Sequence, residues 1–145
     1  MNMKTVSIFI QIRNNIIAIT SLVIAVVALS YNTWRNEHTE RNRNTRTAAF
    51  EVLKELGQLQ ILINYSYYQH DSLMGNPYLG WGDISYLSDL SQLLPPPIPG
   101  KVKTLTEVWG KNWKQIKTNE TAINNISDEI DHSRESVLEV LRQLK

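Results

Sequence analysis

A continuous run of apolar residues near the N-terminus constrains this chain more than any other feature of its sequence. Residues 16–29 contain no charged residue, glycine or proline, and their only polar side chains are Thr20 and Ser21. Both hydroxyl groups can donate back to the preceding turn of a helix, so neither opposes burial in lipid. A buried helix of a water-soluble domain is normally amphipathic, whereas this run is apolar on every face. The run therefore predicts a transmembrane helix.

The predicted span covers residues 15–34, close to the length of about 20 helical residues that a hydrocarbon core of about 30 Å requires. Tyr31 and Trp34 lie at its C-terminal end, where aromatic rings favour the membrane interface. The residues expected to anchor the chain in lipid are Ile16, Ile17, Ile19, Leu22, Val23, Ile24, Val26, Val27, Leu29, Tyr31 and Trp34.

Basic residues on either side of the span predict its orientation. Lys4 and Arg13 precede it, and four arginines follow it closely, at positions 35, 41, 43 and 46. The positive-inside tendency therefore favours a single-pass protein whose C-terminal domain is cytoplasmic rather than periplasmic. A cleavable signal peptide is the alternative, because residues 28–30 (Ala-Leu-Ser) resemble a cleavage site. Residues 31–46 contain no proline or glycine, which favours an uncleaved chain that continues as a helical stalk.

The rest of the chain divides into a tail, a stalk and one soluble domain. Residues 1–14 form a tail suited to the membrane interface, residues 35–47 form a polar helical stalk, and residues 48–145 form a helical domain. With 15 basic and 14 acidic residues, the chain lacks the positive charge that binding to nucleic acid requires. The absence of cysteine excludes disulfides and thiolate metal ligands.

Apolar residues spaced three and four apart predict an all-α fold for the domain. The first stripe consists of Ala49, Val52, Leu53, Leu56, Leu59, Ile63 and Tyr67. Gly57 within this helix is expected to mark a close helix crossing. A Gly- and Pro-rich connection covers residues 75–100, in which residues 75–83 are predicted to be a loop. One short extra helix is predicted at residues 84–94, with Asp83 as its N-cap.

The C-terminal region has the most regular pattern. Apolar residues recur at an interval of seven: Val102, Trp109, Ile116, Ile123, Ile130, Val137 and Leu144. An unbroken helix over residues 101–145 would rise about 65 Å and return along the first helix as a long antiparallel helical hairpin. A break within residues 118–127, which are rich in Asn, Thr and Ser, would instead give a small helix bundle. The hairpin is the favoured prediction.

The hairpin would place the apolar C-terminal stripe opposite the polar stalk and leave it exposed. This stripe, the first candidate partner surface, consists of Val137, Leu138, Leu141 and Leu144. Exposed apolar area is unfavourable in water, so we expect a homo-oligomer, another membrane protein or the lipid bilayer to bury this stripe. Tyr78, Leu79 and Trp81 form a second candidate surface, since aromatic side chains dominate interface hot spots. Packing within the core is the more ordinary explanation for the aromatic residues of this region.

No motif predicts catalysis, a metal site or a cofactor. Asp128 and His132 are the nearest approach to a metal pair, but the acidic residues around them are typical of a solvated helix face. The serines stand in no nucleophile or phosphate-binding motif. The chain is therefore expected to be a non-enzymatic interaction module, such as a scaffold, accessory subunit or sensor-like domain, with a membrane-tethered enzyme as a minor alternative.

The order of short tail, single span, YNTWRNE at residues 31–37 and polar stalk is similar to that of many bacterial single-pass proteins. This likeness implies a bacterial inner membrane. The layout also resembles that of the inner-membrane spanins of phages, which implies an alternative function in lysis with a periplasmic helical domain. The triple proline at residues 95–97 and the Trp-bearing helix depart from the spanin pattern.

Overall fold

The computed structural model describes residues 15–144, and every regular element within them is a helix. Helix α1 spans Ile16–Tyr68, α2 spans Pro77–Ser91, α3 spans Ile98–Asn112 and α4 spans Glu120–Gln143, with a 3-10 turn at Trp113–Gln115. The all-α prediction is confirmed for these residues. The predicted tail at residues 1–14 lies outside the described residues. The chain divides into two compact units, Met1–Arg41 and Asn42–Lys145.

The described part of the first unit is helical, and its apolar side chains are exposed within residues 15–144. All of the predicted anchor residues are exposed, from 42% for Ile19 to 79% for Ile17. The hydroxyls of Thr20 and Ser21 each donate to a backbone carbonyl one turn earlier at 2.8 Å, as predicted. Among the described helices, α1 alone is long and apolar enough to cross a membrane, judged by length and composition.

One hydrophobic core holds the second unit together, and all four helices contribute to it. The predicted α1 stripe is confirmed: Ala49, Val52, Leu56, Leu59 and Ile63 are fully buried, and Leu53 and Tyr67 pack against them. Six of the seven predicted residues at an interval of seven also belong to the core, namely Val102, Trp109, Ile116, Ile123, Ile130 and Val137. The seventh, Leu144, is only partly buried. Helix α2 packs against α3, and α3 packs most extensively against α4.

The prediction of one unbroken helix over residues 101–145 is wrong, because the chain leaves the helix between Asn112 and Glu120. Asn119 supplies a competing set of hydrogen bonds at this point. Its Oδ1 accepts from the Ala122 N–H at 3.2 Å, and its Nδ2 donates to Gln115 Oε1 at 2.9 Å. A capping asparagine favours a helix start over a helix interior. The bundle alternative placed the break within residues 118–127, and the observed break begins before that segment.

The predicted open stripe at the C-terminus is also wrong. Val137 is fully buried, and its companions Leu138, Leu141 and Leu144 are partly buried. The break shortens α4 to 24 residues, and its buried residues, Ala122 to Val140, rise about 30 Å. The part of α1 that contributes buried residues, Ala48 to Ser66, rises about 30 Å. The two apolar lengths therefore match, and α4 has no long apolar overhang.

Two hydrogen bonds fix how α4 lies along α1 within the second unit. Arg46 Nη2 donates to the Leu144 carbonyl at 3.3 Å, and Gln60 Nε2 donates to Ser127 Oγ at 3.1 Å. The earlier residue of α1, Arg46, contacts the end of α4, and the later one, Gln60, contacts a residue near its start. The two helices therefore run in opposite directions. The end of α4 consequently lies where the apolar stripe of α1 begins.

Helix α2 begins earlier than predicted, at Pro77 rather than at residue 84. Asn76, not Asp83, is its N-cap, and Asn76 Oδ1 accepts from the Tyr78 N–H at 3.1 Å. Proline suits the first helical position because its fixed φ is already helical and no N–H is left unsatisfied. Residues 77–83 are therefore helical despite their two glycines.

Candidate interaction surface

Four aromatic side chains form a series of ring contacts from the core to the surface, here named the aromatic ladder. Trp109 on α3 is fully buried, and the Trp81 ring on α2 lies edge-to-face against it, with the centroids 6.4 Å apart. Trp113 lies 6.1 Å from Trp81, and Tyr78 lies 5.3 Å from Trp113, both edge-to-face. Such pairs contribute about 0.5–1.5 kcal/mol each beyond burial. Tyr78, which is 73% exposed, is therefore connected to a buried anchor.

A close approach between α2 and α3 fixes the inner end of the aromatic ladder. A Cβ added to Gly80 would lie 2.3 Å from both Cη2 and Cζ2 of Trp109. Only glycine leaves room for the indole at this crossing. The close crossing predicted at Gly57 is wrong, because a Cβ added there would meet no atom within 4 Å. The sequence thus indicated a tight glycine contact but on the wrong helix.

The turn that leads into α2 is firmly held although its apolar side chains are exposed. Asp71 Oδ1 accepts from the N–H groups of Leu73 at 2.7 Å and Met74 at 2.9 Å. Gly75 packs so closely on α1 that an added Cβ would lie 2.3 Å from the Ser66 backbone nitrogen. Leu73 is nevertheless 82% exposed. Exposed apolar groups on a well-packed turn are typical of a contact surface.

A surface pocket of about 240 Å³ lies at the outer end of the aromatic ladder and is named here the tip pocket. It is lined by Asn76, Pro77, Tyr78, Trp113, Lys114 and Lys117. Lys114 Nζ lies 5.5 Å from the Trp113 ring centroid, within the range of a cation–π contact. Within residues 15–144, no carboxylate lies within 4 Å of either lysine ammonium group. The pocket therefore combines an aromatic wall with two cations that no carboxylate neutralises.

A second, larger pocket of about 400 Å³ lies where α2 and α3 meet. Its lining is Ser88, Ser91, Gln92, Pro99, Gly100, Val102, Lys103 and Thr106. The hydroxyls of Ser88 and Thr106 donate to backbone carbonyls of their own helices, at 2.9 Å each. Lys103 is the only charged residue in this lining. The second pocket thus has fewer charged and aromatic groups available to a ligand than the tip pocket.

Glu55 on α1 and Asp83 on α2 form a pair of carboxyl groups at the edge of the core. Glu55 is only 8% exposed, and its side chain hydrogen-bonds to Asp83. Burial raises the pKa of Glu55, and the nearby negative charge of Asp83 raises it further. Burial also raises the pKa of Asp83, although its hydrogen bond with Glu55 acts in the opposite direction. A shared proton relieves the repulsion between two such groups.

The structure brings together only part of the second predicted partner surface. Tyr78 and Trp81 both contact Trp113, whereas Leu79 is exposed. The sequence reasoning missed Asn76, Trp113, Lys114 and Lys117. Two signals were present: the Asn-Pro pair that starts α2, and lysines spaced three apart from residue 111 to residue 117. Neither signal reveals that the two segments meet.

No family model matches this chain, and no curated protein or solved structure matches it significantly. Its own side chains are therefore the basis for assigning a function.

Proposed function

We propose that this chain is a single-pass, membrane-anchored helical module that binds a partner through the tip surface, defined as the tip pocket together with Leu73, Met74, Leu79 and Trp81. Residues 15–34 lie in the bilayer in this proposal, and residues 42–144 form a small helix bundle with no catalytic role. The observation that carries the proposal is the exposure of every large apolar side chain of residues 16–34 within the described part of the chain.

The physical chemistry of α1 supports the anchor. Apolar surface in water costs about 25 cal/mol per Å², and within residues 15–144 every large apolar side chain of residues 16–34 is exposed. A helix satisfies its backbone hydrogen bonds internally, which the lipid interior demands. Tyr31 and Trp34, whose rings are 6.1 Å apart, follow the apolar run where an interface would begin. These features together favour lipid over water as the surroundings of residues 15–34.

The contacts of the second unit support a bundle rather than a long hairpin. Its four helices share one core, and α4 is short enough to match the apolar stripe of α1. The partner surface expected at the C-terminus loses its basis, because Val137 is buried. The tip surface is the better candidate, since it presents exposed aromatic and apolar groups on a firmly packed framework.

Alkaline carbonate extraction of the full-length, C-terminally tagged protein tests the anchor. We expect the wild-type protein to remain in the membrane pellet. The double variant Val23→Arg/Val26→Arg should move to the supernatant, because each arginine at a span centre costs about 2.5–3.5 kcal/mol on insertion. The matched control is Phe50→Arg/Ile61→Arg, which adds the same charge to exposed positions of α1 outside the span. Recovery of the intact wild-type protein in the soluble fraction would contradict the proposal.

A further inference from the structure

The size of the tip pocket limits the ligands that it can hold. Its volume of about 240 Å³ is below the roughly 300–1,000 Å³ of most small-molecule sites. A pocket of this size suits one or two side chains of a peptide better than a whole cofactor. The Tyr78 and Trp113 rings give it an apolar wall, and the Asn76 amide nitrogen is a further potential donor, since the Asn76 oxygen already accepts from Tyr78.

The charge of the surrounding chain favours an anion in the tip pocket. Residues 98–119 contain five lysines and one acidic residue, a net charge of +4, namely Lys101, Lys103, Lys111, Lys114 and Lys117 against Glu107. Lys114 and Lys117 line the pocket, and the Trp113 ring helps to position Lys114. An ammonium group held beside an aromatic ring loses less freedom when it pairs with a carboxylate.

The apolar neighbours of the pocket indicate that the anion belongs to a larger molecule. Leu73, Met74 and Leu79 are each more than half exposed, and all three belong to the segment that carries Tyr78. A free inorganic anion would make no use of these side chains. A peptide would use them, because residues adjacent to its carboxylate could pack on them.

We propose that the tip pocket binds an acidic peptide segment of a partner protein. A carboxylate of the peptide pairs with Lys114 and Lys117, and an adjacent apolar side chain packs against the rings of Tyr78 and Trp113. This inference rests on the proposed function, in which the tip surface is the partner-binding surface, and it adds the chemical class of the partner.

The test uses the full-length protein in detergent micelles and a fluorescein-labelled peptide of sequence Glu-Leu-Glu-Glu-Leu-Glu, with binding measured by fluorescence anisotropy. We expect Lys114→Gln/Lys117→Gln to weaken binding by about 5- to 10-fold, the effect of losing two exposed ion pairs. The matched control Lys101→Gln/Lys103→Gln removes the same charge from α3 outside the tip pocket and should weaken binding less than twofold. Tyr78→Ala should weaken binding, whereas Tyr86→Ala, an exposed tyrosine on the same helix, should not.

Four outcomes would overturn the inference. Equal losses in the two lysine pairs would indicate nonspecific attraction, as would equal binding of the peptide Lys-Leu-Lys-Lys-Leu-Lys. Binding to vesicles of phosphatidylcholine and phosphatidylglycerol that requires Lys114 and Lys117, without peptide binding, would assign the pocket to a lipid headgroup. Absence of peptide binding by the wild-type protein would refute an acidic partner while leaving the carbonate-extraction result unchanged, so the two proposals fail separately.

Discussion

At Gly80, a single added methyl group has a clear structural consequence. We expect Gly80→Ala to lower the free energy of unfolding by about 1–3 kcal/mol, because the new methyl group would overlap the buried Trp109 ring. Gly82→Ala, in the same helix with nothing within 4 Å, should instead stabilise by about 0.5–1 kcal/mol. Urea unfolding of the full-length protein in micelles, followed by tryptophan fluorescence, measures both. Equal effects of the two substitutions would refute the close crossing.

The Glu55 and Asp83 carboxyl groups predict how stability depends on pH. Both pKa values are raised in the folded state. At pH values above the usual pKa range of carboxyl groups, the folded protein therefore binds more protons than the unfolded chain. Their stabilising contribution is therefore complete below that range and is lost as pH rises through the raised pKa values. Glu55→Gln should be more stable than the wild type at neutral pH, and this advantage should shrink as pH falls.

Urea unfolding at a series of pH values between about 4 and 7 measures this difference. Asp83→Asn removes the other carboxyl group of the pair, whose pKa is also raised in the folded state. Its difference in stability from the wild type should change with pH in the same direction. A wild-type protein that gains stability relative to Glu55→Gln as pH rises would contradict the prediction.

Single helices were predicted well where one apolar face decides the outcome. The α1 stripe and the interval of seven in the C-terminal region both identified core residues, because burial selects apolar side chains whatever the helix boundaries are. Ile116 illustrates the limit: it belongs to the repeat and is fully buried, yet it lies between two helices. Periodicity reports burial, and it does not report whether the backbone between two repeats stays helical.

Helix boundaries depend on capping residues, and the spacing of apolar residues does not reveal them. Asn76 followed by proline starts α2, and Asn119 starts α4, each through a side-chain oxygen that accepts a backbone N–H. The tip pocket depends on both boundaries, because Tyr78 follows the first and Trp113 precedes the second. The site was therefore only partly predictable: the sequence indicated Tyr78 and Trp81, but their meeting with Trp113 and the lysines follows from the break after α3.

The Asn119 cap provides a test of that break. We expect Asn119→Ala to lower the free energy of unfolding by about 0.5–2 kcal/mol, because the Ala122 N–H loses its acceptor. Asn119→Asp keeps an acceptor and should retain most of the stability. Asn124→Ala, an exposed substitution within the same helix, should be neutral or slightly stabilising. Urea unfolding monitored by far-UV circular dichroism compares the three, and a neutral Asn119→Ala would show that the cap does not stabilise the start of α4.

At the scale of the whole molecule, matching apolar lengths explain why the C-terminal stripe is not left open. A continuous last helix would have extended its apolar stripe past Ala48 into polar sequence. The seven residues between α3 and α4 remove that overhang, so the core closes within the second unit. Residues 16–34 form the longest continuous segment of exposed apolar side chains among the described residues, and we propose that the membrane buries them.

The orientation of the proposed anchor can be measured cleanly because the sequence contains no cysteine. Four arginines follow the span closely against Lys4 and Arg13 before it, so the C-terminal domain should be cytoplasmic. Ser72→Cys, in an exposed turn, should react with a membrane-impermeant maleimide only after spheroplasts are permeabilised. Asn2→Cys, on the other side of the span, should react in intact spheroplasts. The reverse labelling pattern would place the domain in the periplasm, and loss of the Asn2→Cys label together with the N-terminal mass would indicate a cleaved signal peptide.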